Sequence, residues 1–271
     1  DDWKGYNYSL FNNDCRAKYY HGTFVAGIIS AKTNNNIGIA GIDGGMGNKG
    51  VEILPYCVGE SSPLSSIIDD AIIAAVDMGA KVIQLSLTVP QSQSIVDAIN
   101  YAYNNDVVIV CSSGNDYSNS VAFPSCLENV ISVGAIDNSY SRATFSNYGE
   151  NLNVVAPGVS IYSTMLNNSY GTSNGTSFSS PQVSAIAALM FSVNPNLTSE
   201  EVKNIIEQTA QKVGNYSYNN SLDHPNGTWN NQMGYGLVDA YAAVNAALDI
   251  DLYTRDKESD NGTEPNTGSL T

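Results

Sequence analysis

The sequence predicts an α/β protein whose mostly parallel central sheet is covered by helices on both faces. Three observations lead there. From Val51 to Ala135, short apolar runs of strand length alternate with longer runs of helical period. Those short runs are predominantly apolar, Val107 to Cys111 throughout, as strands covered on both faces are. The chain's 271 residues, 42% of them apolar, are enough to bury a large core as one domain, with or without a tail.

Residues 1 to 20 are polar and aromatic without a period and read as loop. From His21 the apolar positions Val25, Ile28 and Ile29 recur at helical spacing through Ala31, and the turn-forming run Thr33 to Gly38 stops that helix. Val51 to Val58 then reads as a strand, Ser65 to Met78 as a helix, and Val82 to Leu87 as a strand. Ser94 to Tyr103 follows as a helix, with Val107 to Cys111 and Val130 to Ala135 as strands. Ligands on such sheets bind at the carboxyl ends of the strands.

Asn153 to Pro157 ends another strand, and Tyr162 to Asn174 reads as a polar Gly/Ser/Asn loop. From Phe178 to Ser192 the side chains are small or apolar on nearly every face, which predicts a helix inside the core. Thr198 and Ser199, with Glu200 and Glu201 in the first turn, open a helix that runs from Ser199 to Thr209. The turn Gly234 to Asp239 introduces a last helix, Ala240 to Leu248. Residues 1–248 are thus expected to form the domain. Residues 249–271 are charged and polar without an apolar face and are expected to be a disordered tail or linker.

The formal charge of -15 argues against nucleic acid or an anionic membrane surface as partner and favours cationic substrates and metal cations. No apolar run is long enough to cross a bilayer, and Asp1 to Gly5 carry no targeting signal. Four cysteines, Cys15, Cys57, Cys111 and Cys126, form no C-x-x-C pair and no zinc-ligand spacing. Cys57 and Cys111 lie in apolar runs and read as small core residues, whereas Cys15 and Cys126 could pair or stay free. Asn-x-Ser/Thr triplets at Asn7, Asn167, Asn174, Asn196, Asn215, Asn219, Asn226 and Asn261 suit an exported glycoprotein, and equally arise by chance in a chain rich in Asn and Ser.

Three segments carry chemistry: His21 to Gly27 at a helix start, Ser113-Gly114-Asn115 at a strand end, and Gly175 to Pro181 opening the core helix. A serine hydroxyl is a poor nucleophile unless an imidazole takes its proton, and only His21 and His224 are available. His224 sits in the turn signature Asp223 to Gly227 and reads as an exposed loop residue. His21 is followed by Gly22 and Thr23, small enough to leave the imidazole uncovered. Ser177 stands where the unpaired N–H groups of a helix start can face an anion, and Asn115 follows a strand end from which its amide can donate. Each residue alone would be unremarkable as a cap or turn residue.

Together, and in this order, the three segments resemble the subtilase family of serine endopeptidases, from about Asp1 to Leu248. The resemblance implies a three-layer subtilisin-like fold and hydrolysis of extended polypeptide by acyl transfer to Ser177 and then to water. His21 would be the base, and Asn115 would be the oxyanion donor beside the Ser177 N–H. It implies that Ser86, Leu87 and Thr88 pair with the substrate backbone, and that Ser113, Gly114 and Ala122 line the pocket for the residue before the scissile bond. Ala122 without a nearby carboxylate favours an apolar or medium-sized side chain there. Thr88 stands where the family usually has Gly, and Phe178-Ser179 where it often has Met-Ala.

Thr33 to Ile39 is similar to a family calcium loop, in which Asn35 would give its side chain and Thr33, Ile37 and Ile39 their carbonyls; a plain Asn-rich turn accounts for the same residues. An inhibitory prosegment and export are further implications. The family's catalytic aspartate ends a buried strand before the histidine, in an Asp-Ser/Thr-Gly turn. Asp1, Asp2 and Asp14 follow no apolar strand, so that strand is expected upstream of Asp1 and the chain as given is expected to be nearly inactive. The competing reading is a noncatalytic relative that binds a polypeptide partner in the same groove. An α/β-hydrolase fits poorly, because Gly175 to Ser179 lacks the second glycine and His21 precedes the serine.

Overall fold

The computed structural model describes residues 5–260 apart from 17, 48 and 60–64. In chain order the elements are β1 (Tyr6–Asn7), α1 (Tyr20–Ser30), β2 (Tyr56–Cys57), a 3-10 turn (Ser65–Ile67), α2 (Ile68–Asp77), β3 (Val82–Leu85), α3 (Gln93–Asn104), β4 (Val108–Ser112), β5 (Ile131–Ile136), β6 (Val154–Pro157), β7 (Ile161–Met165), β8 (Ser169–Ser173), α4 (Thr176–Val193), α5 (Ser199–Thr209), β9 (Asn219–Ser221), β10 (His224–Trp229) and α6 (Ala240–Asp260).

β3, β4, β5 and β6 form a parallel sheet in that order, with Ile83 beside Ile109, Val110 beside Ile131 and Val133 beside Val154. Successive side chains of a strand point to opposite faces, and both faces here are apolar. Val108, Val110, Ile131, Val133, Val154 and Ala156 pack with Val183, Ile186 and Met190 of α4, with α5 and with α6. Ile83, Ile109 and Cys111 point the other way, into Ile68 and Ile72 of α2 and Ile95 and Ile99 of α3. The three-layer α/β arrangement expected from the sequence is therefore present. α5 starts with the capping box its sequence announces: Glu201 N–H donates to Thr198 Oγ1 at 3.1 Å, and Thr198 N–H donates to the Glu201 carboxylate at 2.8 Å.

Several expectations need correction. The segment read as a strand from Val51 to Val58 pairs only at Tyr56 and Cys57, with β1, inside the stretch read as loop. The Tyr162 to Asn174 segment is no loop: β7 and β8 pair antiparallel across its length, turning at Asn167 and Asn168, whose φ of +58° and +53° close the hairpin. Thr, Tyr and Ser suit a half-exposed ladder, and alternation of these polar residues hid the strands. His224 lies on β10 with its side chain only 12% exposed, its ring stacked on Trp229 at 3.8 Å. The last helix continues past Leu248 to Asp260, and residues 261–271 lie outside the described part.

Cys111 is buried as expected, while Cys57, Cys15 and Cys126 are half-buried; all four thiols are free. Asn7 is 3% exposed and its amide bonds Asp14 O, Ser9 and Leu10, so this acceptor triplet is closed to a glycan; Asn261 lies outside the described residues. Among the described residues no helix is long and apolar enough to cross a membrane.

Candidate active site

The site assembles at the amino end of α4, beside the carboxyl ends of the parallel strands. Gly175 precedes the helix and Thr176, Ser177 and Phe178 form its first turn; the Phe178 N–H donates to Gly175 O at 3.0 Å, whereas the Thr176 and Ser177 N–H groups have no acceptor within the helix. The Thr176 N–H donates to Asn115 Oδ1 at 2.9 Å and its hydroxyl donates to the same oxygen at 3.0 Å. A backbone N–H can be accepted only by the amide oxygen, so the Asn115 amide has one orientation, with its NH2 group turned outward. Asn115 follows Gly114, which adopts φ +108°; a Cβ there would collide with Asn147. Asn147 in turn holds the following loop, its Oδ1 accepting from Asp116 N–H at 2.8 Å and Ser118 N–H at 3.0 Å.

The helix carries Pro181 in its second turn. Proline has no N–H, so the carbonyl four residues earlier, that of Ser177, loses its helical partner. Ser86 replaces it: its Oγ donates to Ser177 O at 2.7 Å. Gln84 steadies Ser86, donating to its Oγ at 2.5 Å and to Ser180 Oγ at 3.0 Å while accepting from Ser184 Oγ at 2.8 Å. Ser86, a substrate-strand residue in the sequence reading, thus has a side chain directed into the backbone of residue 177. Gln84, Thr176 and Asn147 are residues the sequence reading missed; the only signal was Pro181, which leaves an acceptor that something must fill.

His21 stands in the first turn of α1, with its ring 5.5 Å from that of Phe178, the neighbour of Ser177. Phe24, one turn on, packs on Phe178 at 4.4 Å. The β7/β8 hairpin clamps this helix: Ser163 Oγ donates to Phe24 O and Thr164 Oγ1 to Thr23 O, both at 2.8 Å. They can approach because residue 27 is glycine, whose Cβ position Thr164 and Ser163 occupy. Burial lowers the His21 pKa below its ordinary value. Among the described residues no carboxylate bonds its imidazole, and Asp14 is engaged by Arg16 at 2.8 and 2.6 Å.

Ser86, Leu87 and Thr88 continue from β3 without strand pairing, Thr88 being exposed. Ser113 is fully buried, its Oγ donating to Asn147 O at 3.1 Å, and Ala122 N–H donates to Ser113 O at 2.9 Å. Ala122 and Gly114 face each other closely, since a Cβ on Gly114 would lie 3.1 Å from that of Ala122. In the Thr33 to Ile39 turn, Asn34, Asn36 and Gly38 all have φ near +60°, and Asn35 Oδ1 already accepts from Ile37 N–H at 3.0 Å. Thr33 Oγ1 is buried without a partner. Among the described residues no cluster of three or more His, Cys, Asp or Glu could hold a metal.

A family model described as the subtilase family matches residues 2–236. The chain belongs to that family. This subtilase is 40% identical over 242 residues to a thermophilic serine proteinase of Bacillus sp. (strain AK1), which covers 89% of the chain and 56% of the relative. It is 37% identical over 203 residues to subtilisin DY of Bacillus licheniformis, 73% of each chain. Among solved structures it resembles a protease from Pseudoalteromonas arctica, with a TM-score of 0.71 and 33% identity over 87% of this chain and 74% of that one. The subtilase spans little more than half the length of some curated relatives, 56% and 55% in two of them.

Proposed function

We propose that this subtilase is a serine endopeptidase in which Ser177 attacks the scissile carbonyl, His21 takes the hydroxyl proton, and Asn115 with the Ser177 N–H receives the oxyanion. The observation that carries the reading is the double hydrogen bond from Thr176 to Asn115 Oδ1, which fixes a donor beside the Ser177 N–H in the first turn of α4. In the first step the Ser177 oxygen bonds to the carbonyl carbon as its proton passes to His21. The imidazolium then protonates the leaving amine, and water repeats the cycle on the acyl-enzyme. The close approach of Gly114 and Ala122 supports a pocket for an apolar or medium-sized side chain, with extended substrate laid along Ser86, Leu87 and Thr88.

The same reading includes calcium at the Thr33 to Ile39 turn. The unpartnered Thr33 Oγ1 supports it, but Asn35 and three carbonyls fall short of the roughly six to eight oxygens calcium takes, so other ligands would have to join them. Bound there, the ion would brace the end of α1. Export, and folding with an inhibitory prosegment, belong to the same reading by kinship with the bacterial proteases.

A fluorophosphonate probe tests the reading. Labelling at Ser177, abolished in Ser177→Ala and slowed in His21→Ala, is the expected result. The competing reading is a noncatalytic relative that holds a polypeptide in this groove. Peptide binding by an intact protein that the probe never labels, with the upstream aspartate present, would establish that alternative.

A further inference from the structure

Gln84 lies in β3 and Ser86 two residues on, so both side chains face α4, where Ser180 and Ser184 are buried. A hydroxyl has one proton to give, and that of Ser86 has three oxygens or nitrogens around it. Ser177 O, left without a helical donor by Pro181, is 2.7 Å away. The Gln84 amide is 2.5 Å away and Ser180 Oγ 3.1 Å. Which of them receives the proton depends on how the Gln84 amide is turned.

With its oxygen toward Ser184, the amide accepts the Ser184 hydroxyl at 2.8 Å and its NH2 group donates to Ser86 Oγ and to Ser180 Oγ, the latter at 3.0 Å. Ser86 Oγ is then an acceptor on that side, and its own proton is left for Ser177 O. Turned end for end, an amide oxygen 2.5 Å from Ser86 Oγ could stay there only by taking the Ser86 proton. Ser184 would lose nothing, since its hydroxyl also reaches Ser180 O at 3.3 Å, but the Ser177 carbonyl would be orphaned. The first orientation alone satisfies every group, Ser180 donating to Ser86 because Ser86 has no second proton to give. The hydrogen bonds therefore run in one direction, from Ser184 through Gln84 and Ser86 to the carbonyl of residue 177.

We propose that Gln84 is a positioning residue: by donating to Ser86 Oγ it commits the Ser86 proton to the Ser177 carbonyl, and so holds the backbone of the residue that carries the nucleophile. The catalytic consequence rests on the peptidase reading. The direction of the hydrogen bonds does not.

The test uses the full-length protein and Gln84→Met, which keeps the volume and removes the amide. Gln84→Ser, too short to reach Ser86 but still polar, repeats it should methionine prevent folding. Two quantities are read: the carbonyl 13C chemical shift of Ser177, and the fluorophosphonate labelling rate at saturating probe with the probe concentration that half-saturates it. The 13C resonance is expected to move upfield, as in Ser86→Ala, and the saturating rate to fall roughly tenfold, the factor one ordinary hydrogen bond represents. The half-saturating concentration should stay within about twofold, because the probe still binds. Adding Pro181→Ala, which returns an N–H to the carbonyl without touching the surroundings of residue 84, should restore most of the rate. A lowered unfolding midpoint with the parental shift and rate would make Gln84 a structural residue only and overturn the proposal. A lost rate that Pro181→Ala does not restore overturns the route through the carbonyl. A parent that is never labelled overturns the peptidase reading instead, and the carbonyl shift then decides the hydrogen bond by itself.

Discussion

The side-chain oxygen of Asn115 accepts both donors of Thr176, the backbone N–H at 2.9 Å and the hydroxyl at 3.0 Å. The residue before Ser177, the proposed nucleophile, thereby orients the residue that would face the oxyanion, and the Gly114 N–H closes the arrangement on Thr176 Oγ1 at 3.3 Å. Replacing Asn115 by Leu is expected to slow acylation of Ser177 by roughly 10²–10³-fold, the loss measured for such a donor in subtilisin. Thr176→Val keeps the backbone bond and should cost far less. Labelling rates of the two variants, compared with their unfolding midpoints, check the contrast.

Ser86 and Pro181 form a compensating pair. Ser86→Ala should leave the Ser177 carbonyl without a donor and destabilise the fold by about 1–3 kcal/mol. Pro181→Ala restores a helical N–H for that carbonyl, so adding it to Ser86→Ala should recover part of the loss. Urea unfolding of both single variants and the double variant measures the coupling; strict additivity would contradict the pairing.

Gly114→Ala combines a φ of +108° with a methyl group driven against Asn147. A cost of about 1–3 kcal/mol follows from the strained backbone alone. A melting temperature unchanged from that of the parent would show that the loop accommodates it.

Burial disfavours the charged form of His21, so its folded-state pKa lies below its ordinary value of 6.5. Two consequences share that sign. The stability contributed by the neutral ring is complete above pH 6.5 and is lost as pH falls through the lower folded pKa, and the acid limb of Ser177 acylation lies below pH 6.5 while no carboxylate faces the ring. An NMR titration of the imidazole checks both.

His224→Ala should leave Ser177 labelling unchanged, since its ring stacks on Trp229 and its Nε2 lies 3.5 Å from Glu150, on β10 outside the candidate site. Loss of the stacked ring should cost about 1–3 kcal/mol in unfolding free energy. Loss of labelling at full stability would give His224 a catalytic part.

Strands whose two faces are both buried announce themselves by composition, which is why Val108–Ser112 and Ile131–Ile136 were legible within a residue or two. The Thr198 to Glu201 capping box was equally legible, being a contact between residues three apart. β7 and β8 were not, because half-exposed hairpin strands carry no apolar run, and their stability comes from the helix they clamp through Ser163 and Thr164. His224 was misplaced for a related reason: its turn-like neighbours are local, whereas Trp229 beneath its ring and Tyr235 at 6.0 Å are set by the sheet and loop.

The sequence by itself determined the family, the layered α/β order and the identity of His21, Asn115 and Ser177 as candidates, because those depend on residue type and spacing along the chain. That Thr176 orients Asn115 and that Ser86 answers the carbonyl orphaned by Pro181 became visible only in the folded chain. Those relations join residues about 60 to 90 positions apart, where hydrogen-bond geometry and strand direction exist only once the sheet and helices have packed.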